Sequence, residues 1–164
     1  MELRHRPDLR KVLATIYIVV FAIYLIIGLQ PAEATSYTID AQLMIPSIDL
    51  VSDVTALTLD KNKLNTPEDI VGSYNRNNNK TLLVGHSGAV FKNLNQVRAG
   101  DIIIYNDNEY IIYGREILKK EDVSMSLLLA PADIDTLAIM TCAGDMLPNQ
   151  DATHRLIVMA KVKD

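Results

Sequence analysis

Residues 102–117, IIIYNDNEYIIYGREI, place two β-rich runs on either side of a polar Asn106-Asp107-Asn108 turn. Ile and Tyr dominate both runs, the residue types that favour a pleated, half-buried backbone. So short a connection predicts an antiparallel hairpin, with Ile102–Tyr105 feeding Glu109–Ile117. Upstream, Ala99-Gly100-Asp101 turns into the first run, and Phe91, Leu94 and Val97 are spaced for one helical or 3₁₀ turn packed on a core. Thr81–Val84 reads as a buried strand leading into Gly85-His86-Ser87-Gly88. Earlier still, Gln42–Ile45 is strand-like, and Ile48–Leu59 alternates apolar and polar residues. Thr66-Pro67-Glu68-Asp69 carries helix-start signals and predicts a short helix ending near Tyr74, with 75–79 as a polar turn. Downstream, the stretch Glu121–Asp135 contains Pro131 and room for one helical turn. Thr136–Thr141 then predicts a strand ending at Cys142, and Leu156–Val162 a last strand. The expectation is a mainly β domain of seven or eight short strands with small helices, as a closed or nearly closed barrel. A sandwich has the same periodicity.

The chain of 164 residues is long enough for one such domain and little more. Its formal net charge of −4 leaves no basic surplus to neutralise phosphates, so no nucleic-acid partner is expected. With one cysteine there is no intrachain disulfide and no cysteine-based zinc site.

The N-terminus has a different character. Residues 12–29, VLATIYIVVFAIYLIIGL, hold no charge; 18 residues in a helix reach roughly 27 Å, near the thickness of a bilayer core. Residues 1–11 contribute Arg4, Arg6, Arg10 and Lys11, whereas 30–40 contain no Lys or Arg. The positive-inside rule then predicts a cytoplasmic tail at 1–11, a transmembrane helix at 12–29 and a spacer at 30–40. The domain at 41–164 is expected outside a cell membrane crossed once. The rival reading is a cleaved signal peptide ending near Ala32-Glu33-Ala34, although the apolar run exceeds the usual length of a cleavable one.

An unpaired thiol outside the membrane invites oxidation, so Cys142 asks for a reason. A nucleophilic cysteine needs a base or cation nearby, because its ordinary pKa near 8.5 leaves little thiolate at neutral pH. Of the three histidines, His5 lies in the basic tail, His86 ends a strand among glycines, and His154 precedes the last strand. Arg155 opens that strand, and its guanidinium suits a developing oxyanion or a substrate backbone. Each residue alone also has an ordinary structural role: a buried small thiol, a turn histidine, a surface histidine, a salt-bridged arginine. Asp145 and Asp151, in the loop between Ala143 and Thr153, either modulate the site or are simply solvated.

Together the elements TLLVGHSG (81–88), TLAIMTCAG (136–144) and HRLIVMA (154–160) occur in the order His, Cys, Arg. This set resembles the sortase family of cysteine transpeptidases, as do Ile45-Pro46-Ser47-Ile48 and Phe91-Lys92-Asn93-Leu94 with Gly100-Asp101-Ile102. The resemblance spans about 42–162 and departs from the family pattern at Met140, before the Thr-Cys pair. It implies the family's eight-stranded β-barrel with short peripheral helices. It also implies Cys142 as nucleophile, His86 as proton carrier and Arg155 as oxyanion or peptide contact, with Thr141 and Ala143 beside the substrate. No cofactor is implied and no metal is required, although some members of the family use calcium to order the recognition loop. The implied partners are surface proteins with a C-terminal LPXTG-like sorting signal and an amine acceptor, a cell-wall precursor or pilin lysine. Leu127-Leu128-Leu129-Ala130-Pro131 falls where the family's substrate-recognition loop would lie, and reads equally as a core-facing helical turn.

Two other classes compete. An exported cysteine peptidase or hydrolase would release the acyl group to water, but papain-like enzymes place Cys before His in the chain. A membrane-anchored β-domain that only binds a partner would leave Cys142 buried and inert.

Overall fold

The computed structural model describes residues 15–21, 23, 37–60, 63–77, 79–148 and 151–163. The chain divides into two units, Met1–Ser36 and Tyr37–Asp164. In the first, residues 15–21 and 23 are helical and solvent-exposed. Among the described residues no helix is long and apolar enough to cross a membrane. The cytoplasmic tail and most of the span expected over 12–29 lie outside the described residues.

The second unit is a closed eight-stranded barrel with the order β1-β2-β5-β6-β9-β10-β8-β7. Its strands are β1 (Ala41–Ile45), β2 (Leu50–Ala56), β5 (Val71–Asn77), β6 (Lys80–Val84), β7 (Ile102–Tyr105), β8 (Asn108–Lys119), β9 (Thr136–Met146) and β10 (Ala152–Val162). A separate two-stranded sheet pairs β3 (Leu59–Asp60) with β4 (Lys63–Leu64). Most neighbours are antiparallel, but β2·β5 and β6·β9 are parallel, and β1 meets β7 to close the ring. Closure resolves barrel against sandwich.

The hairpin forms as its turn chemistry dictates. Asn106 and Asp107 both take left-handed backbone (φ 49° and 63°), the conformation of a two-residue turn whose twist matches its strands. Asn tolerates that region well and Asp is next best. β8 then runs beyond Ile117 to Lys119.

Two apolar clusters flank the sheet. Leu43, Val54, Leu83, Ile103, Ile139 and Val158 fill the barrel, while Leu82, Val84, Ala138 and Ile157 face outward. The outer cluster is covered by Leu128 and Leu129, from and just after the helical turn Met125–Leu128. Ser124 caps that turn by accepting the Leu127 N–H at 3.2 Å. Strands β6, β9 and β10 are therefore buried on both faces, which explains the unbroken apolar runs TLLV, TLAIM and LIVMA. The three-residue spacing of Phe91, Leu94 and Val97 is also realised: they are 2%, 0% and 1% exposed, around a 3₁₀ turn at Leu94–Gln96.

The helix expected after Thr66 does not form: residues 68–70 bend and Val71–Asn77 is strand β5, which also takes in part of the expected polar turn at 75–79. Pairing on both edges, with Val71 fully buried, outweighs the capping signals of Thr66 and Pro67. Gly72 lets Leu57 cross this strand, since a Cβ there would lie 2.4 Å from the Leu57 Cδ1.

Candidate active site

Strand pairing assembles the site. β6 and β9 run parallel with Val84 opposite Met140, so Gly85-His86 leaves one strand beside Thr141-Cys142 on the other. Thr141 locks this junction: its buried hydroxyl donates to the Gly85 carbonyl at 2.7 Å. The loop after it is fixed from below, where the His86 carbonyl accepts the N–H groups of Ala89 (3.2 Å) and Phe91 (3.1 Å). Gly85 must be glycine for the Phe91 ring to sit there, because a Cβ would come within 2.8 Å of it. On the other side of β9, Cys142 stands directly opposite Arg155 of β10. Opposed residues in an antiparallel pair project to the same face, so thiol and guanidinium emerge together.

His86, Cys142 and Arg155 line one cleft of about 740 Å³. Leu64, Val123, Met125, Leu128 and Met140 give its wall an apolar share, and Thr66, Lys120, Thr141 and Asp151 a polar one. His86 is exposed, Cys142 half-buried, and the Arg155 side chain only 14% exposed. The thiol is thus reachable, contrary to an inert core cysteine. β9 does not stop at Cys142 but continues to Met146, and β10 begins at Ala152, ahead of the expected Leu156. The two strands pair past the site with a register shift between Ala152 and His154. Cys142 therefore sits within an extended hairpin and is not at a strand end.

Of the two loop acids, Asp151 is the one that reaches the site, where it binds Arg155 and Lys120. Arg155 Nη2 donates to Asp151 Oδ1 at 2.7 Å, and Nη1 donates to the carbonyls of Ala152 (3.0 Å) and His154 (2.9 Å). Lys120 Nζ binds the other carboxylate oxygen of Asp151. Hydrogen bonds from Lys120 and then Arg155 hold the Asp151 carboxyl well below the usual carboxylate range. A carboxylate with a depressed folded-state pKa contributes stability that is full above its unfolded value, near 3.8, and is lost as pH falls below it. We therefore expect the stability gap between wild type and Asp151→Asn, measured by urea midpoints, to be widest at neutral pH and to narrow below about pH 4.

Of the expected substrate contacts, Thr141 reaches the cleft wall, but its hydroxyl is already engaged by the Gly85 carbonyl just after β6. Ala143 packs instead against the barrel cluster and lies outside the cleft lining, because alternate residues of a strand face opposite ways. His154 belongs to a different concavity, with Lys119 and Leu147, and its Nδ1 meets Thr153 Oγ1 at 2.8 Å. His5 is outside the described residues. Among the described residues no group of three or more His, Cys, Asp or Glu could hold a metal ion. Replacing Thr141 by Val should leave the Gly85 carbonyl unsatisfied, lowering stability by about 1–3 kcal/mol in denaturant titration while preserving shape.

The fold and cleft define a β-barrel protein with a cysteine-centred site. A sortase domain model matches residues 43–163. The chain belongs to the sortase family, whose members are cysteine transpeptidases acting on surface proteins that carry sorting signals. Among solved structures, a lid mutant of sortase A from Corynebacterium diphtheriae is 23% identical, with TM-score 0.63 over 80% of this chain and 74% of that one. Sortase C-1 from Actinomyces oris is 21% identical, with TM-score 0.59 over 77% and 72%. Listeria monocytogenes sortase A is 16% identical, with TM-score 0.59 over 77% and 88%. No curated protein matches the chain.

Proposed function

We propose that this chain is a transpeptidase that cuts an LPXTG-like sorting signal and joins the released carboxyl end to an amine. The observation that carries this reading is the pairing of Cys142 with Arg155 across β9 and β10, with His86 delivered to the same cleft by β6. The Cys142 thiolate attacks the Thr-Gly carbonyl carbon, and the carbonyl electrons move onto oxygen. Arg155 donates to that oxyanion, a contact stronger in the transition state than in the ground state. Collapse expels the glycine amine, which takes a proton from His86, and leaves a thioester on Cys142. An incoming amine then attacks the thioester, gives a proton back to His86 and expels the Cys142 thiolate, restoring the starting pair of thiolate and protonated His86. Atoms and charge balance without cofactor or metal. The apolar end of the cleft suits the Leu-Pro portion of the signal.

Residues 12–29 would serve as an uncleaved anchor, with the tail 1–11 cytoplasmic and the barrel outside. Substrates tethered to the same surface would then meet the enzyme at raised effective concentration. The acceptor would be a cell-wall precursor amine or a pilin lysine.

The test is intact-mass spectrometry of the full chain incubated with peptides carrying Leu-Pro-Xaa-Thr-Gly, with and without triglycine. A covalent adduct of the N-terminal peptide fragment that persists alone and is discharged by the amine is the expected result. Discharge by water at the same rate would make the protein a hydrolase. No adduct across a varied peptide set, with a thiol slow to alkylate, would leave a binding domain.

A further inference from the structure

We infer that Asp151 is a positioning residue for Arg155, and that Lys120 keeps the resulting group cationic. This rests on Arg155 acting at the substrate carbonyl as proposed above. A guanidinium has five N–H donors in a rigid plane. Three of them are engaged by the return segment of the hairpin: one by Asp151 Oδ1 and two by the carbonyls of Ala152 and His154. The plane is thereby fixed, and among the described residues two donors remain for an oxyanion. Asp151 is itself anchored: Oδ1 accepts its neighbour's N–H, from Ala152, at 2.8 Å, and its carbonyl accepts the Leu147 N–H at 2.7 Å across the hairpin.

Charge explains Lys120. A lone Arg–carboxylate pair is neutral and would offer an oxyanion only a dipole. With Lys120 on the other carboxylate oxygen, the cluster of two cations and one anion keeps a net charge of +1. Exposure falls along the chain of contacts, from Lys120 (52%) through Asp151 (25%) to Arg155 (14%), so the most water-shielded member is the one facing the cleft chemistry. Lys120 and Asp151 come from elements separated by the whole of β9, and both line the cleft with Cys142.

The test has two arms on the full chain. In the first, acyl transfer from the Leu-Pro-Xaa-Thr-Gly peptide to triglycine is followed for wild type, Asp151→Ala, Asp151→Glu, and each of these on an Arg155→Ala background. Expected are a roughly 10-fold or larger fall in kcat for Asp151→Ala with KM within about 2-fold, and partial recovery with Glu. On the Arg155→Ala background, Asp151→Ala should cost less than about 2-fold more. An equal loss on both backgrounds, a loss confined to KM, or no loss would overturn the inference. The second arm needs no substrate: ¹⁵N NMR of arginine side chains, with Arg155 assigned by its absence in Arg155→Lys. Separate Nη signals in wild type that merge in Asp151→Ala support a held guanidinium; identical signals in both overturn it. If wild type forms no adduct with any peptide, the transpeptidase reading fails, and the NMR arm alone decides the positioning.

Discussion

The Cys142→Ala variant is expected to form no peptide adduct and to lose acyl transfer by roughly 10⁴-fold or more, while melting within about 2 °C of wild type. The loss follows from chemistry: the side chain left behind has no lone pair to offer a carbonyl, and neither His86 nor Arg155 can form the thioester. The retained stability follows from position. Cys142 is half-buried at a cleft wall, outside both apolar clusters, so removing its sulfur opens no sealed cavity. Intact mass and a thermal scan on the same sample check both halves. An adduct on another residue of Cys142→Ala would remove the thiol from the mechanism, and a large drop in melting temperature would return it to the core.

Phe91→Ala is expected to have the largest effect on stability, about 3–5 kcal/mol by denaturant titration. Phe91 is the bulkiest fully buried side chain among the described residues, 2% exposed, and belongs to the barrel cluster. Its ring lies against Gly85, and its N–H binds the His86 carbonyl. Truncation leaves a void beneath the histidine loop as well as the lost transfer energy. Activity should fall further than the folded fraction explains, because a loop no longer supported from below holds His86 less closely in place. Phe91→Leu, which fills most of the volume, should recover most of both.

Much of this was written in local pattern. The hairpin, the apolar alternation and the threefold spacing of Phe91, Leu94 and Val97 each follow from short-range rules and each forms, although the turn is one residue shorter than expected, with Asn108 already in β8. The order of His86, Cys142 and Arg155 was legible only as a set, and strand pairing supplies what the set lacked, a common cleft. Thr66–Tyr74 misled because capping signals are local while β5 exists through partners on both edges. The link from Lys120 through Asp151 to Arg155 left no trace in spacing, since Lys120 reaches Asp151 only after β8, β9 and β10 have paired. Ala143 shows the converse: strand alternation alone would have turned it away from the face of Cys142.

The parallel register between β6 and β9 carries a consequence for how the chain comes alive. Parallel neighbours cannot be joined by a tight turn, so His86 and Cys142 meet only after all the intervening chain has found its place. Such non-local pairing is slow, on the order of milliseconds to seconds, compared with closing the β7–β8 hairpin. A fragment of the barrel that lacks this pairing therefore cannot present His86 beside the thiol. A nascent or half-folded molecule holds a dormant cysteine, and reactivity arrives in one cooperative step with closure of the ring.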